Sequence, residues 1–198
     1  MDGATNHIIR KIGLRRNPAA TRAALVRAAR LELEDCGFEA TQSNNIARRA
    51  GYAPQTFYRH FADKVDILLA VYADWLADKH EAISAAGDVR EVARVLLKFH
   101  RASRKLRHAL RTLSITEERV RAARAKSRMQ GIAYVRANRP HLVEWSDAHL
   151  LRSVLMIERM VDAYTEDDKA DPAISPEEAE DGLYTYLERE FGPPSQAA

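Results

Sequence analysis

An all-α fold is predicted by the way apolar residues recur at spacings of three and four along most of the 198 residues, and by the capping and breaking residues that divide those stretches. Only eight glycines and seven prolines punctuate the chain. A hydrophobic content of 46% beside 30% charge is ordinary for a soluble helical protein, and this length can bury a real core and supports two domains.

The first helix starts at Asn17-Pro18, a cap followed by a residue suited to the first turn. After the Gly37-Phe38 corner, Ile46, Ala47 and Ala50 fall at i, i+1 and i+4 and give a short second helix its buried side. Gly51 ends that helix where the chain must enter the left-handed region. Pro54 then opens a third helix, whose Phe57 and Phe61 at i, i+4 form one apolar face.

Two short helices around a glycine turn, the second exposing polar side chains, read as a DNA-reading helix-turn-helix. Gln55, Thr56, Arg59 and His60 stand opposite the phenylalanines, with Tyr58 at the flank. Glutamine can pair bidentately with adenine, arginine with guanine, and threonine can touch a thymine methyl or a phosphate. Asn44 and Lys64 complete the candidate contacts. Asp63 and Asp66 read as the N-cap and N3 of a fourth helix, whose first turn would offer N–H groups and the Lys64 cation to a phosphate.

The run Ile46-Ala47-x-x-Ala50-Gly51, then Phe57-Tyr58-x-His60-Phe61-x-x-Lys64 and Leu68, resembles the signature of the TetR family of transcriptional regulators. The likeness covers roughly residues 20 to 70, with Leu25, Ala28, Ala29 and Leu33 on the first helix. It implies a three-helix DNA-binding domain, a larger helical ligand-sensing domain, and dimerisation through the last two helices. Some positions depart from the family's pattern. Ala53 stands where a serine usually caps the recognition helix, a loss of about 0.5–2 kcal/mol. Gln42 replaces a threonine, leaving Thr41 as the alternative cap; Ser43 replaces a branched apolar residue, and Glu32 occupies a usually apolar place.

Beyond Lys64, Val65, Leu68, Leu69, Tyr72, Trp75, Leu76 and Ile83 form the stripe of a connector helix. Gly87-Asp88 closes it and caps the next, with Glu91 at N3. Val89, Val92, Leu96, Phe99, Ser103, Leu106 and Leu110 then make one continuous seam. Ile115 to Asn138 is a basic helix or pair of helices that stops near Pro140. Another long apolar face runs from Trp145 through Val154, Ile157, Met160 and Val161 to Tyr164. Ser175-Pro176-Glu177-Glu178 is a capping box for the last helix, which ends at Gly192-Pro193-Pro194. Two apolar-faced helices at a chain end can pair with their copies into a four-helix bundle. Between them, Glu166 to Asp171 reads as a solvated acidic loop.

The expected organisation is therefore a basic arm over 1–16, a helix-turn-helix domain over 17–64, and a ligand-binding and dimerisation domain over 65–198. The arm's Arg10, Lys11, Arg15 and Arg16 either follow DNA or simply solubilise the chain. A two-fold dimer implies a palindromic operator in double-stranded DNA, with recognition helices on the order of 34–36 Å apart. A small-molecule effector that favoured one spacing of the heads would relieve repression. Its candidate contacts are Trp75, Phe99, His100, Tyr134, Trp145, His149, Met156 and Met160, which mix aromatic, soft and polar tips.

Net charge is +3, but it is segregated: +5 over residues 1–64, +8 over 65–142 and −10 over 143–198. The first surplus fits a phosphate-facing domain. The second, around residues 98 to 139, hints at an anionic ligand, or complements the acidic last third within the dimer, or faces DNA phosphates. No apolar run approaches the roughly 18–20 residues needed to span a bilayer, and the first residues lack a secretory core, so a cytoplasmic protein is expected. The single Cys36 excludes an intrachain disulfide, and its place at a helix carboxyl end argues against a redox sensor. His141, Glu144, Asp147 and His149 do not put three ligands on one helical face, so no metal and no cofactor are expected. No glycine-rich phosphate loop, serine motif or paired carboxylate supports an enzyme. The rival class is a helical interaction or architectural protein with weak or nonspecific DNA binding.

Overall fold

The computed structural model describes residues 17–165 and 174–192, and no strand occurs among them. The basic arm, the acidic loop over 166–171 and Pro193-Pro194 lie outside the described residues.

Helix α1 (Pro18–Ala40) begins as its sequence requires: the Asn17 side chain accepts from the N–H groups of Ala19 and Ala20 at 3.0 and 3.2 Å. Gly37 breaks its regularity with φ +80°, a conformation that side chains other than glycine's rarely adopt. Thr41 was the alternative cap for the next helix, but it closes this one instead. Its N–H and its hydroxyl both donate to the Gly37 carbonyl, at 3.1 and 2.7 Å. Helix α2 (Ser43–Arg49) consequently starts at Gln42 with no side-chain cap. The turn at Gly51 (φ +79°) leads to α3 (Pro54–Tyr58), and Ala53 caps nothing, as its methyl side chain dictates.

Helix α4 (Lys64–Ala85) is capped by Asp63, which accepts from the Asp66 N–H at 2.8 Å, while Asp66 returns the bond to the Ala62 N–H. Asp88 and Glu91 form the same reciprocal pair at the start of α5 (Val89–Ala102), the Glu91 carboxylate accepting from the Gly87 N–H. The predicted continuous seam is broken. Ser103, with φ −131° and ψ 37°, separates α5 from α6 (Arg104–Thr116), although every apolar position keeps its spacing. Spacing reports which side chains face inward and is blind to a backbone that bends between them. Ile115 belongs to the exposed last turn of α6, and the basic stretch forms one helix, α7 (Glu118–Asn138). A 3-10 turn at Pro140–Leu142 precedes α8 (Asp147–Thr165), and a full capping box at Ser175 opens α9 (Pro176–Phe191).

Two buried clusters hold these helices together. The first joins Leu25, Ile46, Phe57 and Phe61 to Leu68 and Val71 of α4, then continues to Leu106 and Leu110 of α6 and Val120 of α7. The second gathers Leu96, Ile132, Leu150, Val161, Leu183 and Leu187. Near the first, the guanidinium of Arg107 meets the carboxylate of Asp162, both nearly inaccessible, and Arg111 reaches the same carboxylate at 2.9 Å. Removing one partner of a buried pair strands the other charge in a poor solvent, which typically costs about 3–5 kcal/mol. Asp162→Ala is accordingly expected to lower the free energy of urea unfolding by about that much. Arg107→Met combined with Asp162→Leu should recover most of the loss; an unchanged midpoint in Asp162→Ala would show that the pair contributes nothing.

Candidate nucleic-acid interface and interior cavity

Helix α3 is seated by Phe57 and Phe61, both fully buried with ring centroids 5.7 Å apart, and the Arg22 guanidinium lies 4.9 Å from the Phe61 ring centre. That anchoring turns Gln55, Tyr58 and Arg59 outward; Tyr58 is 61% exposed, and His60 is half-buried beside them. Asn44 is exposed on α2. These five residues carry exposed or half-buried donors and acceptors, the chemistry that base edges and phosphates engage.

Two candidates are placed differently. Thr56 is buried, because it precedes Phe57 on a five-residue helix and is drawn in with it. Lys64 points away from the outer surface: its ammonium donates to the carbonyls of Phe38 and Glu39 at 2.8 and 3.2 Å and lies 4.5 Å from the Phe38 ring centre. It closes the carboxyl end of α1, where a cation is favoured by the helix dipole. Glu32, at a usually apolar place, accepts from Arg49 at 3.1 Å, and Asp35 accepts from the same guanidinium at 2.5 Å. These bonds hold α2 against α1.

The junction between this head and the rest of the chain was invisible in the sequence. Ser103 makes no side-chain cap for α6; the carboxylate of Glu34, 72 residues away, accepts from the Leu106 N–H at 3.2 Å instead. Burial pushes the Glu34 carboxyl up, and the N–H groups of Leu106 and Lys105 pull it back. The Lys105 ammonium donates to the Asp35 carbonyl at 2.6 Å. Arg119 of α7 adds a bond to Asp63 at 3.0 Å.

A cavity of about 110 Å³ lies among α4 to α8, with Tyr72, Trp75, His100, Arg107 and Glu158 in its wall. The Trp75 and His100 rings are 5.5 Å apart, and the Tyr72 hydroxyl is 2.7 Å from that of Ser127. Of the eight candidate ligand contacts, only Trp75 and His100 meet here. Tyr134 lines an adjoining cavity of about 370 Å³ and stacks on His80. Phe99, one residue past the cavity side of α5, packs against the first core cluster. Trp145 and His149 contact each other, and His149 meets Glu190 at 3.0 Å. Met160 packs on the second cluster and Met156 is 46% exposed, because α8 presents Val154, Ile157 and Glu158 to the cavity. Sequence reasoning missed Lys79, His80, Arg107 and Glu158. The spacing of Tyr72, Trp75 and Lys79, at i, i+3 and i+7, was the available signal.

Among the described residues, no helix is long and apolar enough to cross a membrane, and no group of three His, Cys, Asp or Glu side chains could hold a metal. Residues 25–71 match the profile of the bacterial regulatory proteins of the tetR family. No curated protein matches the sequence. Among solved structures, GusR of Salmonella enterica is similar at a TM-score of 0.65 and 19% identity, over 90% of this chain and 99% of that one. A TetR-family transcriptional regulator from Rhodococcus sp. gives 0.63 and 19%, over 87% and 99%. A transcriptional regulator from Saccharomonospora viridis in complex with choline gives 0.61 and 16%, over 86% and 96%. At these identities the likeness is one of fold.

The cavity wall yields a pH prediction. Burial pulls the Lys79 ammonium from its usual 10.5 to about 8, against the attraction of Glu158. A lysine whose pKa falls on folding costs stability while it is charged in both states. That cost lifts as pH rises from about 8 toward 10.5, where only the unfolded chain still holds the proton. Lys79→Met should therefore gain roughly 1–3 kcal/mol near neutral pH and lose the rise in stability across that window. Urea midpoints on both sides of the window check it; parallel pH profiles for the two proteins would refute it.

Proposed function

We infer, from a tetR-family DNA-binding head carried on a body with the fold of solved transcriptional regulators, that this chain is a sequence-specific, effector-responsive repressor that binds a palindromic operator as a homodimer. The observation that carries the reading is the outward face of α3, where Gln55, Tyr58 and Arg59 stand opposite the buried phenylalanines. In this reading residues 17–64 are the reading head and 65–198 the sensing and pairing body. Gln55 and Arg59 read bases, while Tyr58, His60 and Asn44 hold the backbone. The arm over 1–16 adds cations along the duplex.

Pairing is assigned to α8 and α9. On α8 the exposed residues Ala148, Arg152, Leu155, Met156, Arg159 and Ala163 fall on one stripe, with Leu155 41% and Met156 46% exposed. Small and apolar side chains flanked by arginines suit a helix that packs against its own copy. A ligand held among α4 to α8 changes the position of α6, and α6 is bonded to α1 through Glu34 and Lys105. An effector acts only by its difference in affinity for two arrangements of the heads, so its coupling to DNA is reciprocal.

Selection of bound fragments from random duplexes at near-physiological salt tests this directly. Enrichment of one inverted repeat is expected, and uniform retention would favour an architectural role. On the selected site, Gln55→Ala and Arg59→Ala should each cost about 1–3 kcal/mol of preference over random DNA. If both variants keep full preference, α3 is not the reading element. Leu155→Glu with Met156→Glu should turn the dimer into a monomer in sedimentation and weaken operator binding; an unchanged sedimentation profile would remove α8 from the interface.

A further inference from the structure

Three polar atoms on the wall of the inner cavity have no hydrogen-bond partner among the described residues: Trp75 Nε1, His100 Nδ1 and Arg107 Nη1. Their side chains belong to residues only 3%, 4% and 8% exposed. Buried polar groups are nearly always satisfied, and three orphans on residues that line one space are a departure that calls for a cause. Indole and guanidinium N–H groups only donate, and His100 can donate from Nδ1 in one tautomer, so the missing partner is an acceptor.

Charge distinguishes the kinds of acceptor. Lys79, Arg107, Arg111, Arg124 and Arg128 surround the space, facing the carboxylates of Glu158 and Asp162. Water satisfies donors but neutralises no cation; an anion does both. The inner cavity also adjoins a second space. It shares Lys79, His80, Leu96, Gly131, Val154 and Ile157 with the adjoining space of about 370 Å³, whose farther wall includes Ile83, Val92 and Val135. A cationic end beside a space walled on one side by Ile83, Val92 and Val135 and on the other by Ser84, Asp88, Asn138 and Arg139 matches a molecule with one charged head and a body that packs on the apolar side.

We propose that the effector is an apolar-bodied monocarboxylate, its head accepting from Trp75 Nε1, His100 Nδ1 and Arg107 Nη1 and its body lying toward Ile83 and Val92. This identification rests on the reading of the body as an effector sensor, but binding and its effect on DNA are separable. The carboxylate's two oxygens have lone pairs enough for all three donors, and charge-assisted bonds of this kind are the strong ones.

The chain has two tryptophans, so the 15N-labelled full-length protein shows two indole N–H signals, assigned with Trp75→Phe. Octanoate, octanamide and inorganic phosphate are the probes. Octanoate should move the Trp75 signal and leave that of Trp145 in place. Octanamide should bind at least about 10-fold more weakly, and His100→Leu should weaken octanoate about 10-fold with an unchanged circular dichroism spectrum. Four results would overturn the proposal: no shift with octanoate, equal binding of octanamide, a comparable shift with phosphate alone, or octanoate affinity unchanged in both Trp75→Phe and His100→Leu. Operator affinity, measured with and without octanoate, separates the two readings. Octanoate that binds at Trp75 yet leaves DNA affinity unchanged keeps the site and sinks the effector role. Release of DNA by octanamide, with the Trp75 signal unmoved, sinks the site and keeps the sensor.

Discussion

The bond between Glu34 and the start of α6 sets how the helix-turn-helix head sits on the rest of the helical chain. A helix that begins without its own cap leaves N–H groups in need of an acceptor, and α6 finds one on α1 rather than in its own loop. Lys105 closes the same seam from the other side by donating to the Asp35 carbonyl. Hydrophobic burial along the seam is continuous with the core of the head, since Leu106 and Leu110 belong to the cluster that contains Phe57 and Phe61. The exposed face of α3 is thus fixed to α6 by packing, and its angle is fixed by directional bonds.

Around that seam, the basic middle of the chain finds its counter-charges within the fold. Arg90 and Arg94 reach Glu180, Arg90 also reaches Asp181, and Arg136 reaches Asp147. Arg124 and Arg128 share Glu158, and Arg107 and Arg111 share Asp162. Complementation of the acidic last third was expected within a dimer, whereas these pairs lie inside a single chain. The exposed pairs among these contribute little individually, since water and salt screen them. The interior ones orient α8 against α6 and α7, and they leave a cationic lining where the helices do not quite meet.

Local chemistry was legible in the sequence, and distant partnership was not. Asn17-Pro18, Gly51, Asp63, Asp88 and Ser175 each act within four residues of themselves, and each does what its side chain or backbone preference dictates. Thr41 could satisfy a helix on either side and closed the one before it. Lys64 was expected to offer its cation to a phosphate, but it donates to the carbonyls of Phe38 and Glu39, which lie 25 residues or more away. The candidate ligand residues are dispersed for a similar reason. Aromatic and soft side chains mark a helix's buried face, but two helical faces one residue apart look into different spaces, as Phe99 and His100 do.

The break at Ser103 divides the cavity wall between two kinds of helix. Arg107 and Leu110 stand on α6, which also carries the seam to the head, whereas His100, Gly131 and Val154 stand on α5, α7 and α8. In evolutionary descent the two sets are exposed to different selection. A duplicated copy can reshape the cavity by altering α5, α7 or α8 while inheriting the seam to α1 intact. A change on α6 touches the cavity wall and the seam to α1 in a single step, so its residues are the costlier ones to vary.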